Sequence, residues 1–399
     1  MLKNKYDVVV VGAGPGGSSV ATHCARAGLS VALLEKRQEV GSPKRCGEGL
    51  SINSLKMIES YLGKKVPEKC KAQEIDGAEV YAPNGKNVSI NFGESKGVIM
   101  ERKIFDKWLA EEAARAGAYV QAKTYVKGIL KNGSKICGVK AEFEDEVQEI
   151  SAKVVVGADG VESKVARWAG LNTTNALVNI DSGYQFEMVN LKISDPKKIE
   201  LYFGNKIAPR GYCWIFPKGN DVANVGIGVA LADKPARYYL ERWIASLPEI
   251  FANASITEVN AGGIPVGGFL KNMVLDGFLV VGDAAHQVNP IHGGGMKEAT
   301  IAGKIAADVI VEAISKNDTS AAVLSAYNTR WWAERGEALQ RIQRLREVVE
   351  KLSDDDLNML AENLTGEDLV EFSRGSRLSV LAKILIRNPK LALLAKHLF

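Results

Sequence analysis

Gly12-Ala13-Gly14-Pro15-Gly16-Gly17 and, eighteen residues past the last of these glycines, Glu35 have the types and spacing that hold a dinucleotide. Gly12 permits a tight turn, Gly14 lets a pyrophosphate approach the backbone, and Gly17 lets a helix pack closely on a strand. Unpaired N–H groups at the start of that helix, with the positive end of its dipole, face the phosphates. Glu35 can accept both hydroxyls of an adenosine ribose, which favours a ribose without a phosphate of its own. Two later segments also end a strand near a carboxylate: Gly157-Ala158-Asp159-Gly160, and Gly282-Asp283 ahead of Gly293-Gly294-Gly295-Met296. Such a carboxylate can hold a polyol chain, and a helix N-terminus beyond it can stabilise the charge of a reduced flavin ring. Nicotinamide has neither feature, so the three segments together point to FAD rather than NAD. Either Gly-Asp turn alone would read as a plain strand termination.

Further candidates lie outside these segments. Tyr212, Trp214 and Phe216 alternate along one strand, so they share a face while Cys213 and Ile215 take the other. Three adjacent aromatics can wall a long apolar slot, and the same pattern also fits packing between sheet and helix. Cys46 sits in a glycine-flanked loop beside Lys44 and Arg45, whose charges are expected to lower its pKa. The alternative for a free cysteine is a small buried hydrophobe. His286 and His292 flank Asn289-Pro290 and titrate near neutral pH when unperturbed, although a hydrogen-bonded structural role suits both.

The elements that must position these groups follow from periodicity. Val8–Val11 and Val31–Leu34 read as buried parallel strands around a small-residue helix through Ala21–Ala27, which Gly28 closes. A loop at 41–51 precedes a helix over 52–62, and Pro83-Asn84-Gly85 turns a hairpin. An amphipathic helix covers 104–116, and 119–156 reads as a β-meander with Asn132-Gly133 at one turn. From 175 to 265 alternating segments predict an antiparallel sheet with one solvated face, interrupted by a helix at 236–245. Phe278–Val281 returns to a buried strand, and a long helix starts near Gly294. One helix is expected over 322–351, then helices capped near Ser353 and Thr365, where Thr365-Gly366-Glu367-Asp368 fits a capping box. The fold class is therefore α/β (α+β): a Rossmann-type FAD-binding domain at 1–70, 98–172 and 266–320, an inserted antiparallel sheet domain for substrate at 71–97 and 173–265, and a C-terminal helical region at 321–399.

At 399 residues the chain can bury a large core. A net charge of +4, without basic clusters interleaved with aromatics, argues against nucleic acid. Five scattered cysteines with no CxxC pair make a zinc site or disulfide framework unexpected and favour a reducing, cytoplasmic setting. The first strand begins too early for a signal peptide, and no apolar run is long enough to span a bilayer.

The sequence resembles the p-hydroxybenzoate-hydroxylase-like flavoproteins through GAGPGG at 12–17, GADGVESKVAR at 157–167 and GDAAHQVNP at 282–290. Within them it resembles the FAD-dependent geranylgeranyl reductases, including the archaeal digeranylgeranylglycerophospholipid reductases. That likeness rests on Pro209-Arg210-Gly211-Tyr212-Cys213-Trp214-Ile215-Phe216-Pro217, a P-x-x-Y-x-W-x-F-P pattern, supported by Cys46-Gly47-Glu48-Gly49. The resemblance implies saturation of isolated C=C bonds in isoprenoid ether glycerophospholipids, with hydride from reduced FAD and a proton from Cys46, Tyr212 or water. It brings Lys36, Arg45, Cys46, Gly47, Gly49, Arg102 and Val126 to the cofactor with the glycines, Glu35, Asp159, Asp283, Gly295 and Met296. Tyr212, Trp214, Phe216 and His292 then face the substrate. No second glycine-rich βαβ unit appears, so the electron donor is expected to be transient NAD(P)H or a small ferredoxin-like carrier. A flavin monooxygenase and a lipid carrier with structural FAD are the rival readings. The last stretch, from Ser379, carries leucines with Lys383, Arg387, Lys390 and Lys396, and suits either a membrane surface (peripheral association) or a docking helix.

Overall fold

The computed structural model describes residues 2–94 and 96–373; the basic stretch from Ser379 lies outside them. Its first layer is a sheet whose path runs Val274–Leu275, Phe278–Val280, Glu146–Gly157, Lys5–Val11, Val31–Leu34 and Tyr119–Gln121. The central strands are valine-rich because both faces are covered, and Val8, Val9, Val10, Val154, Val155 and Val156 are fully buried. Helices Pro15–Arg26 and Met296–Ser315 pack together on one side, where Ser19 Oγ donates to the Thr300 carbonyl at 2.9 Å.

Register decides where the chemistry goes. Val11 pairs with both Gly157 and Leu34, and Gly157 pairs with Val280, all in parallel. The carboxyl ends of four strands are thus level, and the turns that leave them emerge on one edge. Open parallel sheets bind their ligands there.

The second layer is a seven-stranded sheet in the order Ser255–Pro265, Ile180–Val189, Ala223–Val229, Tyr212–Pro217, Lys198–Phe203, Gly77–Tyr81 and Asn87–Asn91. One face packs Phe186, Met188, Cys213, Ile215, Val225 and Ile227 against Tyr239, Leu240 and Trp243 of helix Ala236–Ala245. The other face turns Gln185, Trp214 and Phe216 toward the loop around Cys46 and Gly47. Gly49–Ser51, Gly97–Met100 and Lys71–Ile75 form a small sheet of their own.

Three expectations need correction. The seven-stranded sheet is not wholly antiparallel, because Lys198–Phe203 and Gly77–Tyr81 run parallel. Gly77–Tyr81 comes from a remote segment, so no hairpin dictates its direction. Tyr119–Gln121 joins no meander but extends the parallel sheet beside Val31–Leu34, leaving Thr124–Asn132, Lys135–Phe143 and Glu146–Gly157 as the antiparallel run. The helix expected over 322–351 is broken into Ala321–Leu324, Ala326–Trp331, a π-turn at Trp332–Gly336 and Glu337–Val349. The π-turn lets adjacent Trp331 and Trp332 meet edge to face, with centroids 5.4 Å apart. Beyond it, reciprocal caps open the next two helices: Ser353 with Asp356, and Thr365 with Asp368.

Candidate functional site

A cavity of about 1060 Å³ runs from the level strand ends, past the seven-stranded sheet, to the C-terminal helices. All the cofactor and substrate candidates named from the sequence line it. At its dinucleotide end the glycine turn is fixed by close approach. A Cβ on Gly17 would lie 1.9 Å from the Gly12 carbonyl oxygen, and one on Gly12 would lie 2.3 Å from that of Ala158. Gly14 differs, since a Cβ there meets nothing within 4 Å. Glu35 caps the neighbouring strand, its carboxylate accepting the N–H groups of Ala13 and Arg37 at 3.0 Å each. Val126 lies close by, on the strand whose Thr124 N–H donates to the Glu35 carbonyl at 2.8 Å.

Further along, two buried carboxylates face the cavity from neighbouring strand ends. Burial pushes both Asp159 and Asp283 above the usual carboxylate range. Asp159 Oδ2 accepts the Val165 N–H at 3.0 Å, which opposes that shift. Arg102 and His286 pull Asp283 back. Arg102, at the start of helix Arg102–Arg115, forks onto Asp106 at 2.8 and 2.7 Å and also reaches the Cys46 sulfur.

Cys46 corrects the expectation that its neighbours activate it. Burial raises its thiol pKa, and Arg102 only partly opposes this. Lys44 turns away to Glu48 (3.0 Å), Asn224 (3.2 Å) and Glu187, while Arg45 lies 3.6 Å from Glu162. The His286 ring nitrogens meet the carbonyls of Gly268 and Thr173 at 2.7 and 3.2 Å, a structural role. His292 reaches the cavity, but the surrounding protein and Lys297 push its imidazole down to about 4.

Sequence reading missed the ionic cluster that fastens the Cys46 loop to the second sheet. Lys218 adds contacts to Glu48 (3.2 Å), Glu101 (2.8 Å) and Glu187 (2.9 Å), and Asn224 Nδ2 donates to Glu48 at 2.7 Å. Glu48 also accepts the Arg102 N–H at 2.6 Å, so one buried carboxylate joins loop, helix and sheet. The Glu48 within Cys46-Gly47-Glu48-Gly49 was the available signal. Burial alone would raise Glu187, but Lys44 and Lys218 outweigh it and hold the carboxyl down to about 2. A depressed folded pKa gives stability that is full above the unfolded value and fades as pH falls. Glu187→Gln is therefore expected to flatten the loss of melting temperature between pH 4.5 and about 2 relative to the parent. An unchanged acid slope would contradict this.

The aromatic strand walls the middle of the cavity. Tyr212 O–H donates to the His292 carbonyl at 3.1 Å, and Trp214 Nε1 donates to Gln185 Oε1 at 3.0 Å. The indole lies flat over Gly226, where a Cβ would be 2.3 Å from the ring, so no larger residue fits beneath it. Phe216 reaches the Cys46 loop, 3.0 Å from a Cβ on Gly47. Past the aromatics the lining turns aliphatic. Val80, Ile90 and Leu201 of the sheet line the cavity together with Leu352, Leu360 and Leu364 of the C-terminal region. One end of the cavity thus offers glycines and carboxylates, and the other a hydrocarbon slot.

Residues 5–330 match the FAD binding domain family. Over 404 aligned residues the chain is 43% identical to a digeranylgeranylglycerophospholipid reductase of Methanothrix thermoacetophila, with 99% of each chain covered. The chain belongs to this reductase family. A member from Methanocaldococcus jannaschii is 41% identical over 98% of this chain and 97% of its own. Among solved structures, a geranylgeranyl bacteriochlorophyll reductase-like protein of Thermoplasma acidophilum superposes with a TM-score of 0.88 at 34% identity, covering 99% of this chain and 100% of that one. A flavin-dependent brominase, at 21% identity and a TM-score of 0.74, shares the fold.

The residues present fit the FAD that this family implies. Asp159 Oδ1 is buried without a hydrogen-bond partner among the described residues, Gly14 borders open space, and the helices after Gly14 and Gly295 begin without side-chain caps. Among the described residues no cluster of three metal-ligating side chains occurs, and no helix is long and apolar enough to cross a membrane.

Proposed function

We propose that this chain uses FAD to saturate isolated C=C bonds in the geranylgeranyl chains of ether glycerophospholipids. The observation that carries this reading is the continuity of one cavity, from the glycine turn and strand-end carboxylates into an aromatic and then aliphatic slot. An isoprenoid chain offers almost nothing to hydrogen-bond, so shape and dryness must place its alkene. The relatives named digeranylgeranylglycerophospholipid reductases supply the headgroup class.

In this reading Glu35 holds the adenosine ribose, the bare helix N-terminus after Gly14 receives the pyrophosphate, and Asp159 with Asp283 receives hydroxyls of the ribityl region. Lys36, Arg45, Arg102 and Val126 complete the cofactor wall. FAD, once reduced, supplies hydride to the alkene. The protein's own part is to align the chain along Tyr212, Trp214 and Phe216, to exclude water, and to deliver a proton. Cys46 and Tyr212 are both held neutral, since burial pushes each phenol or thiol pKa up. In the same reading 1–70, 98–172 and 266–320 form the FAD-binding domain, 71–97 and 173–265 the substrate domain, and 321–399 the C-terminal helical region. NAD(P)H or a ferredoxin-like protein would reload the flavin, and the protein would work peripherally at the cytoplasmic face of the membrane that holds its substrate.

Air-free mixing of the dithionite-reduced protein with a geranylgeranyl lipid should return the oxidised flavin spectrum. Reoxidation only with oxygen, with an oxygenated product, would indicate a monooxygenase. Lipid binding with no reoxidation would indicate a carrier.

A further inference from the structure

We infer that Asp181 is the acid that protonates the second alkene carbon during saturation, an assignment that rests on the proposed function. Asp181 enters strand Ile180–Val189 on the cavity-facing side of the second sheet and lines the cavity. Its Oδ2 and the Trp214 indole share the space above Gly228, at 3.8 and 3.9 Å from where a Cβ would stand. Across the ladder it pairs with Ile264, whose side chain comes within 3.3 Å of a Cβ on Gly293, in the glycine loop at the flavin end. The carboxyl therefore sits one strand from that loop and beside the aromatic wall along which the substrate chain is aligned.

Its surroundings leave it unpaired. Oδ1 is buried and has no hydrogen-bond partner among the described residues. The cations that face it are occupied elsewhere. Arg346 donates to the carbonyls of Val266 (2.9 Å) and Val178 (3.2 Å) and pairs with Glu350 at 3.1 Å, and Arg210 is also held by Glu350. Burial pushes the Asp181 carboxyl up to about 7, with Glu350 adding to the rise and Arg346 and Arg210 opposing it. Nearby Tyr212 is pushed far above neutrality by burial and by Asp181 itself. Cys46 is also raised, and His292 is neutral, so neither matches Asp181 as a proton source near pH 7. An acid works best when its pKa lies near the operating pH.

Saturation breaks the alkene π bond and forms two C–H bonds. Reduced FAD, as the anionic hydroquinone, would supply a hydride with its electron pair to one carbon and be left oxidised and neutral. The other carbon takes the proton of the Asp181 carboxyl, and the carboxylate regains one proton from bulk solvent after the product leaves.

The test uses the holoenzyme as Asp181→Asn and Asp181→Glu. Removing a positioned general acid should slow saturation by roughly 10²-fold or more, while FAD content, reduction by dithionite and lipid binding stay at parental levels. Asp181→Glu should restore part of the rate. In the parent the rate should fall as pH rises through about 7, and in Asp181→Asn that fall should vanish. Infrared difference spectra should show a protonated carboxylic acid that titrates near neutral pH in the parent and is missing in Asp181→Asn. Should Asp181→Asn fail to fold, the parental infrared titration and the rate of Asp181→Glu decide. Saturation within about threefold of the parent in Asp181→Asn, against the general-acid expectation, or no neutral-titrating acid band, overturns the assignment. A parent that saturates nothing would instead overturn the proposed function.

Discussion

Gly14→Val is expected to give a folded protein that purifies without FAD. The backbone at Gly14 is extended (φ −73°, ψ −177°), which a β-branched residue adopts readily, and a Cβ there meets nothing within 4 Å. The fold therefore has no reason to object, and the melting temperature of the apoprotein should stay near that of the deflavinated parent. The open space at this position is where the pyrophosphate would approach the helix N-terminus, so the added methyls displace the cofactor. Overpacking costs of about 1–3 kcal/mol correspond to a loss of FAD affinity of roughly five- to 150-fold. The contrast with Gly17 sharpens the test, because a Cβ there would collide with the Gly12 carbonyl and damage the turn itself. Colour and full flavin content in Gly14→Val would place the cofactor elsewhere.

Trp214→Ala should leave the flavin bound and cripple turnover of long isoprenoid chains. Trp214 meets the Cys46 loop only at an edge, with Nε1 3.4 Å from a Cβ on Gly47. Most of its ring covers Gly226 and forms the slot wall between Tyr212 and Phe216, with centroids 5.8 and 6.0 Å away. Truncation removes that wall and releases the Gln185 Oε1 partner, at a stability cost of about 3 kcal/mol. The alkene then loses its fixed distance from the flavin, so turnover falls more than binding. Loss of FAD instead, at equal folding, would assign Trp214 to the cofactor site rather than the slot.

Much of this site was legible in the sequence because its signals are local. The glycine turn, the strand that follows it and Glu35 lie within one βαβ unit, and the register of its strands needs no remote information. The alternation of Tyr212, Trp214 and Phe216 likewise assigns the face that the structure turns to the cavity, with Cys213 and Ile215 in the opposite core. What sequence could not show depends on burial and on partners far along the chain. Lys44, Glu48, Glu187, Lys218 and Asn224 form one ionic cluster only once the sheet closes over the loop. The charges adjacent to Cys46 in sequence therefore misled about its thiol, because Lys44 had better partners in space. Asp181 stands out for the same reason, through the packing that strips water from it. The parallel entry of Gly77–Tyr81 has no local signature, since nothing in a five-residue strand fixes which way its neighbour runs.

The most direct measurement is mass spectrometry of a digeranylgeranylglycerol phospholipid after air-free incubation with the dithionite-reduced holoenzyme. A flavin seated against a hydrocarbon slot predicts product masses that rise in steps of one hydrogen pair, with no oxygen added. Lipid recovered at its starting mass while the protein stays yellow and reducible would contradict the account.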